Sequence, residues 1–208
     1  MNRLAIFMSA LLLTAYFAVA QNSFKDPRDG KIYRTVEIGN QTWMAENLNY
    51  LTKDSYCFDD KQENCSMYGR LYTWEAAESA CPAGWHLPSK GEFVILMKAV
   101  GGFLISEGTR EDWDDAGPKL KSGDRWAWND EVGISGNADD AFGFSAFPAG
   151  RRNAFGVGTG MDYYAGFWSS TKYDSDSAYG MHLYSNFYYA SLDTDVKYYG
   201  LSIRCLKD

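Results

Sequence analysis

Polar and apolar positions divide the chain into stretches of different period. From Ile32 to Ile38 the run IYRTVEI alternates, bracketed by Asp29-Gly30 and Gly39-Asn40, and Gln41 to Met44 continues in the same style. Alternation of period two between turn pairs predicts an N-terminal hairpin or meander. Between Met67 and Trp85 the spacing changes: Leu71, Trp74, Ala77 and Ala80 or Cys81 recur every three or four residues, until Pro82 and Gly84 intervene. This predicts a helix of about ten residues with Cys81 on or near its buried face. Ser89 followed by Glu92 forms a capping-box pattern, after which Phe93, Leu96, Met97 and Val100 keep helical spacing as far as Gly101-Gly102. A second short helix is expected there.

From Ser106 to Gly143 the chain is polar and reads as long loops, which in a compact domain tend to carry function. Beyond Gly143 it becomes aromatic and β-like. At its end Leu201, Ile203 and Cys205 alternate with Ser202 and Arg204, the two faces of a strand. No period of about 20 to 50 residues is present, so a repeat architecture is not expected.

Composition adds a compartment. Residues 1–20 carry Arg3, an apolar run from Leu4 to about Ala18, and small residues at Ala18 and Ala20. That is the pattern of a secretory signal peptide, leaving residues 21–208 as a single exported domain that does not span the membrane. The net charge of −7 opposes binding to phosphate backbones, so nucleic acid is not an expected partner. Export implies oxidising conditions, in which four cysteines form two disulfides with three pairings open. Cys57 and Cys65 are close in sequence and pair with each other in our reading, leaving Cys81 with Cys205.

The blocks DGKIYRTVEIGNQTWMAENLNY, YGRLYTWEAA, CPAGWHLPSKGEF, FGFSAFPAGRRN, FWSST and GLSIRCLKD, in this order, resemble the Fibrobacter succinogenes major paralogous domain over nearly the whole exported chain. That family is similar to the C-type lectin-like fold and to the branch containing formylglycine-generating enzymes. The resemblance implies an α+β domain: a C-type lectin-like fold with two short helices, a small twisted antiparallel sheet, long loops and disulfides. A disulfide from a helix to the last strand recurs in such folds, in agreement with Cys81–Cys205. The resemblance brings no assigned reaction.

Candidate chemistry is correspondingly thin. The copper site of formylglycine-generating enzymes uses two close cysteines near the C-terminal end, and only Cys205 stands there. Cys81 and His86 lie near each other, but a disulfide-bonded sulfur is no nucleophile, and His182 and His86 lack zinc-ligand spacing. No catalytic centre and no metal site is therefore expected. Calcium is the cofactor left open: Trp128-Asn129-Asp130 matches a sugar-binding lectin triplet at the wrong position. Glu111, Asp112, Asp114 and Asp115, and Asn137, Asp139 and Asp140, supply oxygen ligands without regular spacing. The aromatic last third points instead to a binding surface, because tyrosine and tryptophan offer an apolar face with a polar edge. Its expected members are Trp126, Trp128, Arg151, Arg152, Asp162, Tyr163, Tyr164, Tyr184 and Tyr188, facing an extracellular glycan or protein. The reading is thus a secreted, non-catalytic binding domain, the alternatives being a divergent enzyme of the formylglycine-generating-like branch or a structural component of an extracellular assembly.

Overall fold

The computed structural model describes residues 22–129 and 134–208. The segment read as a signal peptide, and Asp130 of the Trp-Asn-Asp triplet, lie outside the described residues. The alternating N-terminal run forms strands β1 (Asn22–Lys25), β2 (Ile32–Ile38) and β3 (Gln41–Met44), followed by β4 (Ser55–Tyr56), helix α1 (Gln62–Tyr68), β5 (Leu71–Tyr72) and α2 (Trp74–Ala77). Next come β6 (Trp85–His86), α3 (Lys90–Ala99), β7 (Phe103–Ser106), β8 (Glu111–Asp114), α4 (Gly117–Leu120), β9 (Trp128–Asn129) and β10 (Ile134–Ser135). The last third supplies β11 (Ala149–Arg152), β12 (Gly158–Met161), β13 (Tyr164–Lys172), β14 (Ser177–Tyr184), β15 (Ala190–Val196) and β16 (Leu206–Lys207).

The strands make a curled five-stranded sheet, ordered β1-β2-β3-β16-β6, and a seven-stranded sheet, ordered β12-β11-β13-β14-β15-β8-β7. With 38% strand against 16% helix, the domain is mostly β. This overturns the expected small sheet with two short helices. The physical reason lies in two stretches. The aromatic alternation of the last third runs into β13, β14 and β15, of nine, eight and seven residues, and the stretch read as polar loop contributes β8, which joins the same sheet together with the preceding apolar β7. The helix expected around Trp74 shrinks to four residues, with Leu71 in β5. The second helix forms as expected: Ser89 accepts from the Glu92 amide and the Glu92 carboxylate accepts from the Ser89 amide, a complete capping box.

Both faces of the long sheet are buried over part of their area, because successive residues of β13 point to opposite sides. Ala165 and Phe167, with Met181, Leu183, Ala190 and Leu192, pack against Trp43 and the Phe93, Leu96 and Met97 face of α3. Tyr164 and Trp168 face the other way, toward Tyr72, Trp74, Leu201 and Ile203. Both expected disulfides are present, Cys57–Cys65 and Cys81–Cys205, the second joining the segment after α2 to the final segment of the chain. Arg204, expected on the face opposite Ile203, is fully buried between the Phe144 and Phe167 rings. Its guanidinium donates to Asn47 Oδ1 at 2.8 Å, to the Ser145 carbonyl at 2.7 Å and to the Met44 and Phe144 carbonyls. Burial pulls its pKa down to about 9, opposed only in part by the Asp140 and Glu46 carboxylates.

Candidate functional site

The second face of the long sheet is apolar where Trp168 and Ala178 meet the core and polar farther along. Cross-strand pairing sets this pattern. Tyr164 lies opposite Tyr184, Gly166 opposite His182, and Trp168 opposite Gly180; His182 lies opposite Ser191, Gly180 opposite Asp193, and Ala178 opposite Asp195; Ser191 lies opposite Asp112. Paired residues share a face, so tyrosines, a histidine, a serine and three aspartates are brought onto one surface.

Two glycines make room for its central pair. A Cβ on Gly166 would stand 2.3 Å from the Tyr164 hydroxyl, and one on Gly180 would stand 3.1 Å from the His182 ring. The phenol and imidazole therefore lie across strand positions that carry no side chain. Tyr164 Oη is 2.6 Å from His182 Nδ1, and the rings stack at 5.9 Å. His182 Nε2 lies 3.4 Å from the Asp193 carbonyl, which can only accept, so in the neutral imidazole Nε2 carries the proton and Nδ1 accepts from Tyr164. Burial drives the Tyr164 phenol well above its usual range, keeping it a neutral donor.

A chain of contacts leads outward from this pair. Asp195 Oδ2 is 3.7 Å from His182 Nδ1, and Arg151 Nη1 is 3.4 Å from Asp195 Oδ1. Burial raises the Asp195 pKa, while His182 and Arg151 partly oppose the rise. The Arg151 guanidinium sits over the Tyr164 ring at 5.5 Å and the Tyr199 ring at 5.6 Å. In the other direction Tyr164 packs on Tyr184, Tyr184 on Phe187, and Phe187 stacks on Tyr189 at 4.7 Å. Arg110 lies over Tyr189 and pairs with Asp112 at 2.9 Å, and the Ser191 hydroxyl donates to Asp112 at 2.6 Å. The result is one polar and aromatic surface in which each arginine is matched to an aspartate.

Beneath the Tyr184–Tyr189 turn, buried Lys121 donates to the carbonyls of Tyr184 at 3.1 Å and Phe187 at 3.3 Å, holding the turn from below. Burial pulls its pKa down to about 8.

The structure brings Arg151, Tyr164 and Tyr184 of the expected set together. Trp128, Tyr163 and Tyr188 are exposed beyond the end of the same sheet, where the Ser185 amide bonds the Tyr163 carbonyl and the Ala127 amide the Asp162 carbonyl. The Asp162 side chain accepts from Tyr68 Oη at 3.2 Å. Two members fall elsewhere. Trp126 is a core residue, its Nε1 donating to the Ala146 carbonyl, and Arg152 points away from Arg151 to stack on Tyr56 at 3.9 Å. His182 and Asp112 enter the sequence reading only as zinc and calcium candidates, and Arg110, Ser191, Asp193 and Asp195 do not enter it. The alternation Ser191, Asp193, Asp195 is a period-two polar stripe that could have marked them.

The acidic stretches disperse for the same reason: Glu111 pairs with Lys90, Asp112 with Arg110, Asp115 with Lys119, and Asp140 caps Ser145. Among the described residues no group of three or more His, Cys, Asp and Glu side chains is arranged to hold a metal ion. His86, singled out with Cys81, bridges two carboxylates instead, Asp208 through Nδ1 at 2.7 Å and Glu92 through Nε2 at 2.9 Å. The Cys81 sulfur is committed to Cys205.

The sequence profile of the Fibrobacter succinogenes major domain matches residues 36–207, which include every residue of this surface. The chain belongs to that family. The Fibrobacter succinogenes major domain is described without a reaction or ligand, so membership assigns neither to this surface. No curated protein and no solved structure matches the chain.

Proposed function

We propose that this protein is an exported, non-catalytic binding domain that recognises glycan through the face running from Arg110 to Tyr199. The observation that carries the reading is the continuity of that face: the partly exposed rings of Tyr184, Tyr189 and Tyr199 alternate with the Arg110–Asp112 and Arg151–Asp195 pairs. Aromatic faces stack on sugar rings, and carboxylate and guanidinium groups offer paired acceptors and donors to neighbouring hydroxyls. Both arginines are already paired with aspartates, so an anionic ligand would have to break an existing pair, whereas a polyhydroxylated one can use the paired donors and acceptors together. A non-catalytic role agrees with the engagement of all four cysteines in disulfides. It also agrees with the deep burial of Tyr164 and His182, beyond reach of a bound substrate. Export rests on the N-terminal pattern of residues 1–20 and suits two disulfides.

The test is a glycan array probed with purified protein, with calcium and with chelator, alongside the Tyr184→Ala and Asp195→Asn variants. Selective binding that both variants weaken is expected. A blank array, or binding indifferent to both substitutions, would refute the glycan reading and leave a protein partner as the object of the next search.

A further inference from the structure

Strand β7 ends the long sheet, and all four of its residues are exposed. Three are large and apolar: Phe103 at 55% exposure, Leu104 at 39% and Ile105 at 53%. Adjacent strand residues point to opposite sides, so β7 is uncovered on both faces as well as along its outer edge. Pairing with β8 shifts register between Leu104 and Ser106, leaving Ile105 as a bulged residue whose main chain is not used by β8. Exposed apolar edges of this kind are templates for another strand.

We infer that β7 is the contact between two copies of this chain, paired antiparallel about a two-fold axis through Leu104. The argument for a second copy is self-complementarity. In this register Leu104 lies opposite its own mate and Phe103 opposite Ile105 twice, so the exposed apolar side chains of the two edges gather at the junction. Charge follows the same symmetry. Glu107, just past β7, makes no ion pair among the described residues and falls opposite Gly101 of the other copy. Beside Gly101 stands the Lys119 ammonium, 3.3 Å from where a Cβ on that glycine would lie. Two Glu107–Lys119 contacts therefore flank the apolar centre. Lys119 already pairs with Asp115 at 2.7 Å, so each lysine would be shared between two carboxylates.

The axis of such a pairing stands perpendicular to the sheet, so equivalent faces of the two copies lie on the same side. If the proposed binding function holds, the dimer presents two Arg110–Tyr199 faces side by side to a repetitive ligand, and binding gains from avidity. The dimer itself does not depend on that reading.

A four-residue edge buries well under the roughly 1,200 Å² of a standard interface, so association is expected to be weak. Sedimentation velocity from about 10 μM to about 1 mM spans the affinity expected of so small a contact. The wild-type protein should show a reversible monomer–dimer equilibrium. Ile105→Lys should hold it monomeric, Glu107→Lys should weaken it at least several-fold, and Glu107→Lys with Lys119→Glu should restore it. Glu107 is exposed and outside the core, so the charge-reversal pair decides the matter even if Ile105→Lys misfolds. A wild type that stays monomeric throughout, that grows beyond dimer, or whose dimer ignores both Glu107→Lys and Ile105→Lys would overturn the inference. Loss of the dimer with single-site glycan binding retained would separate it from the proposed function.

Discussion

Replacing Gly166 by alanine tests whether the Tyr164–His182 pair depends on a missing side chain. Gly166 has no left-handed backbone, so the consequence is steric. The new Cβ would sit 2.3 Å from Tyr164 Oη, 2.8 Å from its Cζ and 3.0 Å from Leu201 Cδ2. Ordinary contact requires about 3.5 Å, so the phenol must retreat by roughly 1 Å. That stretches the 2.6 Å bond to His182 beyond hydrogen-bond range, and Tyr184 and Arg151 close the space into which the ring could move. Overpacking costs about 1–3 kcal/mol, and a buried acceptor left at His182 Nδ1 about 1–3 kcal/mol more. Gly166→Ala should therefore lower stability by roughly 2–6 kcal/mol, read as a shift of the urea midpoint at constant m value. Tyr164→Phe removes the hydroxyl alone and should cost only the second contribution. Because the hydroxyl is the atom struck most closely, the double variant should be less destabilised than the sum of the singles. A Gly166→Ala protein within about 0.5 kcal/mol of wild type would refute the packing argument.

Three further outcomes follow from the charges and cross-links. Burial pulls the His86 pKa down, but its bonds to Asp208 and Glu92 prevail and raise it. Its contribution to stability should be fully present below pH 6.5 and lost as pH rises through the raised folded value. NMR titration of the two imidazoles checks this, and a His86 value at or below 6.5 would contradict it. Asp195 has a raised pKa because of burial, so its ionisation above that value opposes folding. Asp195→Asn should be at least as stable as wild type at pH 7, with the advantage fading toward pH 4, and a clear loss of melting temperature at pH 7 would show that the pair with Arg151 outweighs desolvation. Chain entropy predicts that replacing Cys81 and Cys205 with serine destabilises by about 5 kcal/mol, against about 2.5 kcal/mol for Cys57 and Cys65. The sequence separations of 124 and 8 set this order, and denaturation midpoints that reverse it would put native-state strain or residual unfolded structure in control.

Local pattern by itself determined the pieces whose cause is local. The β2–β3 hairpin follows from alternation between Asp29-Gly30 and Gly39-Asn40, and α3 from the Ser89–Glu92 capping box and its apolar spacing. The small separation of Cys57 and Cys65 favours their pairing among the three that four cysteines allow. Tertiary structure decided what depends on residues distant in the chain. Leu71 has helical spacing to Trp74, yet β5 forms because Tyr72 bonds the main chain of Leu201, an interaction that no local window contains. Glu111 to Asp114 read as polar loop until β15 pairs with them and sends Asp112 to the polar face while Trp113 enters the core. The binding face is the extreme case. Arg110, Tyr164, His182 and Asp195 share no sequence spacing. They meet because strand register places every second residue of four strands on one side of the sheet, and because Gly166 and Gly180 leave the room that the phenol and imidazole fill.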